Sequence, residues 1–483
     1  MRDSGGCHYN TALALSKAVR VGSRFPGMYL LYRIFTAASM LFLVPYYALR
    51  GWSRGEPPGT LRERLGILPH EIVSRASFFA RNPGGEAIWI HAVSVGEVLA
   101  AKPLAEALKK KFPDRAILGS TTTETGQKLA RERLQCADGV FYFPLDWALA
   151  VRRALRAIRP ALVIVMETEI WPNFLREAHR QEIPVLFSNA RISERSFARF
   201  MMWKFLVGEF FERALEDAEL FLAQTSEDAG RLREMGAHAD SIEVCGNLKY
   251  DAEPPAMSAF GLWLVGQIQR QERWPVLVAG SVVAEEEEEV LAAYDVVQRQ
   301  WRRTLLILAP RKPDRFDYAA NISSVGGWTV IRRTRLNTDL PLDENADILI
   351  LDSIGELAAL YSLADASFVG GSLVKSGGHN ILEPAWFGNP PVFGRSMENF
   401  QEMADTFLES RAGVQVSNGA QLGKVWIELI DKNALREQMG KAARQLAERN
   451  RGATARSVER IAAILKADGA KRQPPAIATE NPA

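Results

Sequence analysis

The chain is poor in the residues that build metal and disulfide sites. Its 483 residues include three cysteines, Cys7, Cys136 and Cys245. They lie far apart, are odd in number and show no CxxC or histidine-interleaved spacing, which argues against a zinc site or a disulfide framework and fits a reducing compartment. Excess charge of one sign is also missing: 59 Lys and Arg stand against 57 Asp and Glu, a formal net charge of +2. Whole-chain electrostatics therefore do not suggest a nucleic-acid binder, and an anionic partner has to be met by a local patch. No phosphate-binding P-loop or GxGxxG turn is present, so ATPase and dehydrogenase activities find no support. No convincing DxD pair sits at a suitable strand end, which argues against an obligatory divalent cation; no metal or other cofactor is expected.

What is present is an ordinary globular composition, 47% apolar and 24% charged, in a chain longer than one hydrophobic core supports, so two domains with appendages are expected. Long apolar runs are confined to the amino terminus, where Ile34 to Leu49 (IFTAASMLFLVPYYAL) is uncharged, preceded by Arg33 and followed by Arg50, Arg54, Arg62 and Arg64. This run reads as a membrane anchor over 28–50, monotopic or spanning, because it falls short of the roughly 20 apolar residues of an ordinary span and contains Pro45. The basic residues after it favour a cytoplasmic body. Residues 1–27 look like neither a targeting signal nor a domain and are expected to be a non-native or disordered extension, with the true start at Met28. The tail 471–483 lacks periodicity and is expected to be disordered.

Between these ends, apolar runs of strand length alternate with segments of helical period, which predicts α/β architecture with parallel sheets, and the pattern occurs twice. Strands are expected at Ala87–Ala92, Ala116–Gly119, Leu162–Met166, Val185–Ser188 and Leu220–Ala223, then at Val276–Ala279, Thr304–Ala309, Thr329–Arg332, Ile348–Leu351, Ala366–Val369 and Pro391–Phe393. The acidic, proline-containing Asp251–Pro255 reads as part of a linker, giving an N-terminal domain over 51–250, a linker over 251–258 and a C-terminal domain over 259–470. Two such Rossmann-like units imply a cleft, with ligands beyond the carboxyl ends of strands.

Candidate site residues gather at those strand ends. Ser94-Val95-Gly96-Glu97 follows the first strand and opens a helix. The spacing is that of a capping box, in which the glutamate reaches back to the cap's amide; the same carboxylate can take a proton from a hydroxyl. The helix terminus weakens such a base, and desolvation opposes that. Glu167-Thr168-Glu169 places two acids at the end of another strand, readable as a solvated loop, a salt bridge or part of a site. Lys249 lies at the mouth of the linker, where a cation can face a departing phosphate. In the second half, Pro310-Arg311-Lys312-Pro313 is a rigid basic turn, and Ser353-Ile354-Gly355-Glu356 reads as a second capping box. Gly370-Gly371-Ser372, with Lys375 and Gly377 to Pro384, offers backbone amides to an anion, and Glu383 suits the hydroxyls of a ribose. His379 alone reads as structural, and the acidic run Glu285–Glu289 as the first turn of a helix.

Taken in order, HAVSVGEVLAAKPL, METEIWPNF, SNARISERS, GNLKYD, LAPRKPDRF, SIGELAALY and FVGGSLVKSGGHNILEPA closely resemble the Kdo (3-deoxy-D-manno-octulosonic acid) transferases of Gram-negative bacteria, specific for the lipid A precursor, from about Met28 to Leu465. The resemblance implies the GT-B fold of two Rossmann-like domains, and inverting transfer of Kdo from CMP-Kdo to a tetraacyldisaccharide bisphosphate. It also implies a place on the cytoplasmic side of the cell inner membrane, where the anchor would hold the enzyme. Glu97 would be the general base, while Glu167 and Lys249 would stabilise the transition state. Pro310, Arg311, Ile354, Gly355, Glu356, Asn380, Ile381, Leu382 and Glu383 would contact CMP. The family often carries a histidine and a glycine just before its glutamate pair in the second half, where this chain reads Ser281-Val282-Val283-Ala284-Glu285. Arg62 and Arg64 are candidate contacts for acceptor phosphates. The rival readings are a GT-B transferase using a UDP-sugar on another membrane lipid, and a non-catalytic sugar-nucleotide-binding protein.

Overall fold

The computed structural model describes residues 27–54, 59–82 and 84–472. The extension before Gly27 and the tail from 473 on lie outside the described residues. The chain divides into two compact units, one running to Cys245 and resuming at Ser457, the other spanning Gly246–Arg456. The division falls a few residues before the acidic linker motif, and the chain returns to its first unit at the end.

In the first unit, α1 (Gly27–Arg54) has a 23-residue segment, Gly27–Leu49, long and apolar enough to cross a membrane. Its first turns are fastened to the body: Tyr32 donates to Asp146 at 2.8 Å, Thr36 accepts from the Asn173 amide at 3.1 Å, and the Tyr29 and Tyr32 rings pack on Phe210. Beyond them Leu41, Phe42, Tyr46 and Leu49 are exposed.

The body is built on seven parallel strands: β1 (Ile88–His91), β2 (Ile117–Thr121), β3 (Gly139–Tyr142), β4 (Leu162–Met166), β5 (Val185–Ala190), β6 (Leu220–Ala223) and β7 (Ile242–Val244). They run in the order β3-β2-β1-β4-β5-β6-β7, so the order reverses between β1 and β4, where a doubly wound sheet opens a crevice at its carboxyl edge. Strands covered on both faces have to be apolar throughout, and β1, β2, β4, β5 and β6 are buried at every position. The helices that position side chains here are α2 (Val95–Lys111) after β1, α3 (Pro172–Arg180) after β4 and α4 (Glu194–Glu216) after β5.

The second unit repeats the plan with β8 (Val276–Val282), β9 (Leu305–Pro310), β10 (Val330–Arg332), β11 (Ile348–Ile350), β12 (Ala366–Val369), β13 (Val392–Phe393) and β14 (Val414–Gln415), in the order β10-β11-β9-β8-β12-β13-β14. Three strands escaped the sequence reading, β3, β7 and β14, and all three are sheet edges with partly exposed residues. An edge strand is covered incompletely, so its apolar signal is diluted. Helix α5 (Glu287–Gln300) follows β8, and α6 (Ala453–Arg472) closes the described chain, its start fixed by Asp251, which accepts from Gly452 N and Thr454 N.

The acidic run before and within α5 is accounted for residue by residue. Glu286 is wholly buried, Glu287 pairs with Arg315 at 2.8 Å, Glu288 accepts from the Tyr318 hydroxyl, and Glu289 accepts from Gly419 N. Glu285 is exposed and has φ 74°, a left-handed conformation that disfavours any residue with a Cβ. Glu285→Gly is therefore expected to stabilise the second unit by about 1 kcal/mol in chemical denaturation; a loss of stability would show that the Glu285 side chain makes a compensating interaction.

Candidate active site

At the switch point of the first sheet, β1 ends at His91 and α2 begins at Val95 with Glu97 in its first turn. Glu97 is 6% exposed and accepts from Val93 N at 2.7 Å and from the Ser94 hydroxyl at 2.8 Å. This differs from the expected capping box in two ways: the backbone partner is Val93 rather than the cap itself, and the Ser94 hydroxyl is turned to the carboxylate instead of a helix amide. Burial raises the Glu97 carboxyl to about pH 7; the two hydrogen bonds oppose the rise, and the charges of Glu167 and Glu169 add to it. The helix terminus thus does not win, and the group is poised at neutrality.

Glu167 and Glu169 follow β4, the neighbour of β1 in the sheet. Glu167 has φ 55° and its amide donates to Ser188 O at 2.9 Å, while Thr168 exchanges hydrogen bonds with Arg191 at 2.7 and 2.9 Å. The loop is thereby stapled to the end of β5 in a backbone conformation unusual for a non-glycine residue, the kind of strain that gathers at functional sites. Burial first, then Glu167, raises the Glu169 carboxyl. Three acids thus share one strand-end region, and the charges of Glu167 and Glu169 both act on Glu97. His91, wholly buried, stacks on Phe143 at 3.7 Å and is held neutral by burial, at about pH 3. Arg64, a candidate phosphate contact in the sequence, is instead built into the body: it is buried, donates to Thr122 O at 2.7 Å and lies over the rings of Tyr47 and Tyr142. Arg62 is exposed.

The second unit brings together the other set. Pro310 ends β9, and Arg311 donates its amide to Val282 O at 2.8 Å. The charge of Arg311 reaches both His379 and Glu383: burial and then Arg311 lower His379 to about pH 4, whereas burial raises Glu383 to about pH 7 against Arg311 and an Asn380 hydrogen bond. Asn380 Oδ1 accepts from Leu382 N at 3.1 Å, so that amide is capped by the chain itself. Lys249 belongs to the same unit: its ammonium lies 5.1 Å from the centre of the Phe400 ring, next to Asn399, whose amide donates to Gly377 O at 2.9 Å.

Two expectations for this unit are corrected. Ser353–Glu356 is not a helix cap, because Gly355 turns left-handed at φ 96° and the helix starts only at Leu357. Glu356 is instead held by Arg333 at 2.9 Å, by Ser258 at 3.0 Å and by Ser353, and these donors place its carboxyl below the usual range despite burial. Ile354 stands 75% exposed beside Gly355, where an added Cβ would meet no atom within 4 Å. The turn at Gly370-Gly371-Ser372, expected to be open to an anion, is instead closed: the amides of Gly371, Ser372 and the following Leu373 are all bonded to Glu286. No sequence signal marks that pairing, since the partners lie 85 to 87 residues apart. Among the described residues no group of three or more His, Cys, Asp or Glu is arranged to hold a metal ion.

Comparison with known proteins gives the family. Residues 59–252 match the family model described as 3-deoxy-D-manno-octulosonic-acid transferase. The chain is 33% identical over 413 residues to 3-deoxy-D-manno-octulosonic acid transferase of Haemophilus influenzae, covering 84% of this chain and 94% of that protein. It is 32% identical over 433 residues to the Bordetella pertussis protein of the same name, covering 87% and 96%. Among solved structures, the S. aureus MnaA–UDP complex covers 79% of this chain and 97% of its own, with TM-score 0.50 and 17% identity, a likeness of fold alone. Two doubly wound seven-stranded units of GT-B type, and relatives matched over nearly their whole length, carry one conclusion: the chain belongs to the Kdo transferase family of glycosyltransferases.

Proposed function

We propose that this Kdo transferase uses CMP-Kdo as donor and the lipid A precursor as acceptor, inverting the anomeric centre in one displacement, with Glu97 as the base. The observation that carries the reading is the buried Glu97 carboxyl, raised to about pH 7 at the switch point of the first sheet. A carboxylate that titrates near neutrality can both exist as the base and hold the proton it removes. The acceptor hydroxyl gives its proton to Glu97 as its oxygen bonds to the anomeric carbon; the bond to the phosphate oxygen breaks on the opposite face, and CMP leaves with that electron pair. The transition state resembles an oxocarbenium ion, so placement of charge outweighs covalent chemistry. In this reading Glu167 and Lys249 stabilise it, Pro310 and Arg311 take the phosphate, Ile354 to Glu356 flank the base, and Asn380 to Glu383 hold the ribose. Glu169, raised by burial next to Glu167, joins the acidic set on the acceptor side.

A lipid acceptor and attachment to the cytoplasmic face of the inner membrane are supported by two features of the first unit. One is α1 with its exposed apolar residues beyond Thr36. The other is the run Met201–Leu206 (MMWKFL) of α4, exposed at all six positions on the helix whose Phe210 packs against Tyr29 and Tyr32 of α1. Apolar residues and a lysine on a surface helix suit the interface of a membrane containing anionic lipid.

Four outcomes check the reading. Glu97→Gln should lower transfer of Kdo from CMP-Kdo by at least about a hundredfold while leaving CMP affinity unchanged; an active purified variant removes the base. Wild-type kcat/KM should fall on the acid side with a midpoint at about pH 7, since the base works only ionised. The same shift has a stability cost: the folded pKa lies above the usual 4.5, so the advantage of the protonated group is complete below that value and lost as pH rises through about 7. Glu97→Gln should therefore gain of the order of 2 kcal/mol in stability relative to wild type between pH 5 and pH 8. Finally, CMP and not UDP should displace the donor in equilibrium competition; the reverse result would favour a UDP-sugar transferase.

A further inference from the structure

Glu286 is a wholly buried carboxylate that the chemistry above does not use. Its Oε2 accepts from Gly371 N at 2.6 Å and Val283 N at 3.1 Å, and its Oε1 accepts from Ser372 N at 2.8 Å and Leu373 N at 2.7 Å. Three consecutive amides converging on one anion form a nest, the arrangement that elsewhere takes a phosphate. Here the anion belongs to the protein, supplied by the residue that caps α5. A carboxylate removed from water needs this many donors, and amides with their partner removed are equally costly, so the two sides hold each other in place.

The nest is continuous with the residues assigned to the donor. Gly371, at φ 69°, accepts from Gly378 N at 2.7 Å, and the His379 ring lies so close that a Cβ on Gly371 would stand 2.8 Å from its Cδ2 and Nε2. The Ser372 carbonyl accepts from Ser396 N at 2.8 Å, and the Ser372 hydroxyl accepts from Gly394 N at 2.7 Å. Asn380 to Glu383 follow directly. His379 Nε2 is buried without a hydrogen-bond partner in the protein, pointing to a group that the bound donor completes.

We propose that Glu286 is a positioning residue of the donor site: as a resident anion in the Gly371–Leu373 nest, it denies those amides to the donor and fixes the peptide that presents His379 and Asn380 to it. The inference rests on the CMP-Kdo reading and assigns the donor's own anion to Arg311 rather than to the glycine-rich turn.

The test is a donor titration of the full-length protein carrying Glu286→Ala or Glu286→Gln, with and without formate. The alanine variant leaves a cavity of unpaired amides that formate can fill; the glutamine keeps the shape but turns an amino group toward one pair of amide donors. In both variants KM for CMP-Kdo should rise about tenfold or more, with kcat changed far less, because the lesion lies in donor placement. Formate should restore most of the KM of Glu286→Ala and raise its melting temperature, while leaving wild type unchanged. Loss of thermal stability with KM within twofold of wild type in the folded variant, or a raised KM that formate leaves untouched, would overturn the proposal. If the alanine variant does not fold even with formate, the donor KM of Glu286→Gln decides. Wild-type turnover of CMP-Kdo, measured alongside, separates failure of this inference from failure of the donor assignment.

Discussion

A carboxylate taken out of water must gather hydrogen-bond donors or a cation, or else give up its charge. Four glutamates in the segments that follow strands meet this constraint differently, and the differences sort them into roles. Glu286 has four backbone amides and is bound into the scaffold. Glu356 has Arg333 and two serine hydroxyls and remains a firm anion below the usual carboxyl range. Glu97 has one amide and one hydroxyl, with two further acids near it, and rises to about pH 7. Glu383 has Asn380 and the charge of Arg311, which together do not offset its burial, and it also rises to about pH 7. The undersatisfied pair are the groups able to gain or lose a proton, or to change partners, when a ligand arrives.

Much of the fold was legible because parallel strands buried on both faces must be continuously apolar; the eleven runs expected all overlap observed strands, and only Thr329–Arg332 lies on an edge strand, β10. The edges were harder: β3, β7 and β14 lack cover on one side and carry a mixed pattern. Strand-end motifs were legible as places, since Glu97, Glu167, Arg311 and Glu383 all follow strands as expected. Their local hydrogen bonding was not. Ser-x-x-Glu gave a modified cap at Ser94 and no cap at Ser353, because the glycine at 355 turns left-handed and a distant arginine claims the glutamate. The glycine-rich turn looked open to phosphate because a sequence shows amides but not the side chain that fills them from 85 residues away.

The amino-terminal helix illustrates how a long apolar helix can be tied to its domain. Asp146 accepts from Tyr32 and from the first amides of α3, Asn173 N at 3.2 Å and Phe174 N at 2.8 Å, so one carboxylate caps a core helix and holds the apolar one. Asn173 adds a bond to Thr36. These contacts fix α1 on the unit that carries Glu97, and the exposed apolar run of α4 belongs to that unit as well.

The central claim is that Glu97 changes protonation near neutrality because it is buried with too few donors beside two like charges. The most direct measurement is the carboxyl-region infrared difference spectrum of wild type against Glu97→Gln, followed across pH 5 to 9. The account predicts a protonated carboxyl band, absent from the variant, that disappears with a midpoint at about pH 7. A spectrum in which this residue is already ionised at pH 5 would contradict it.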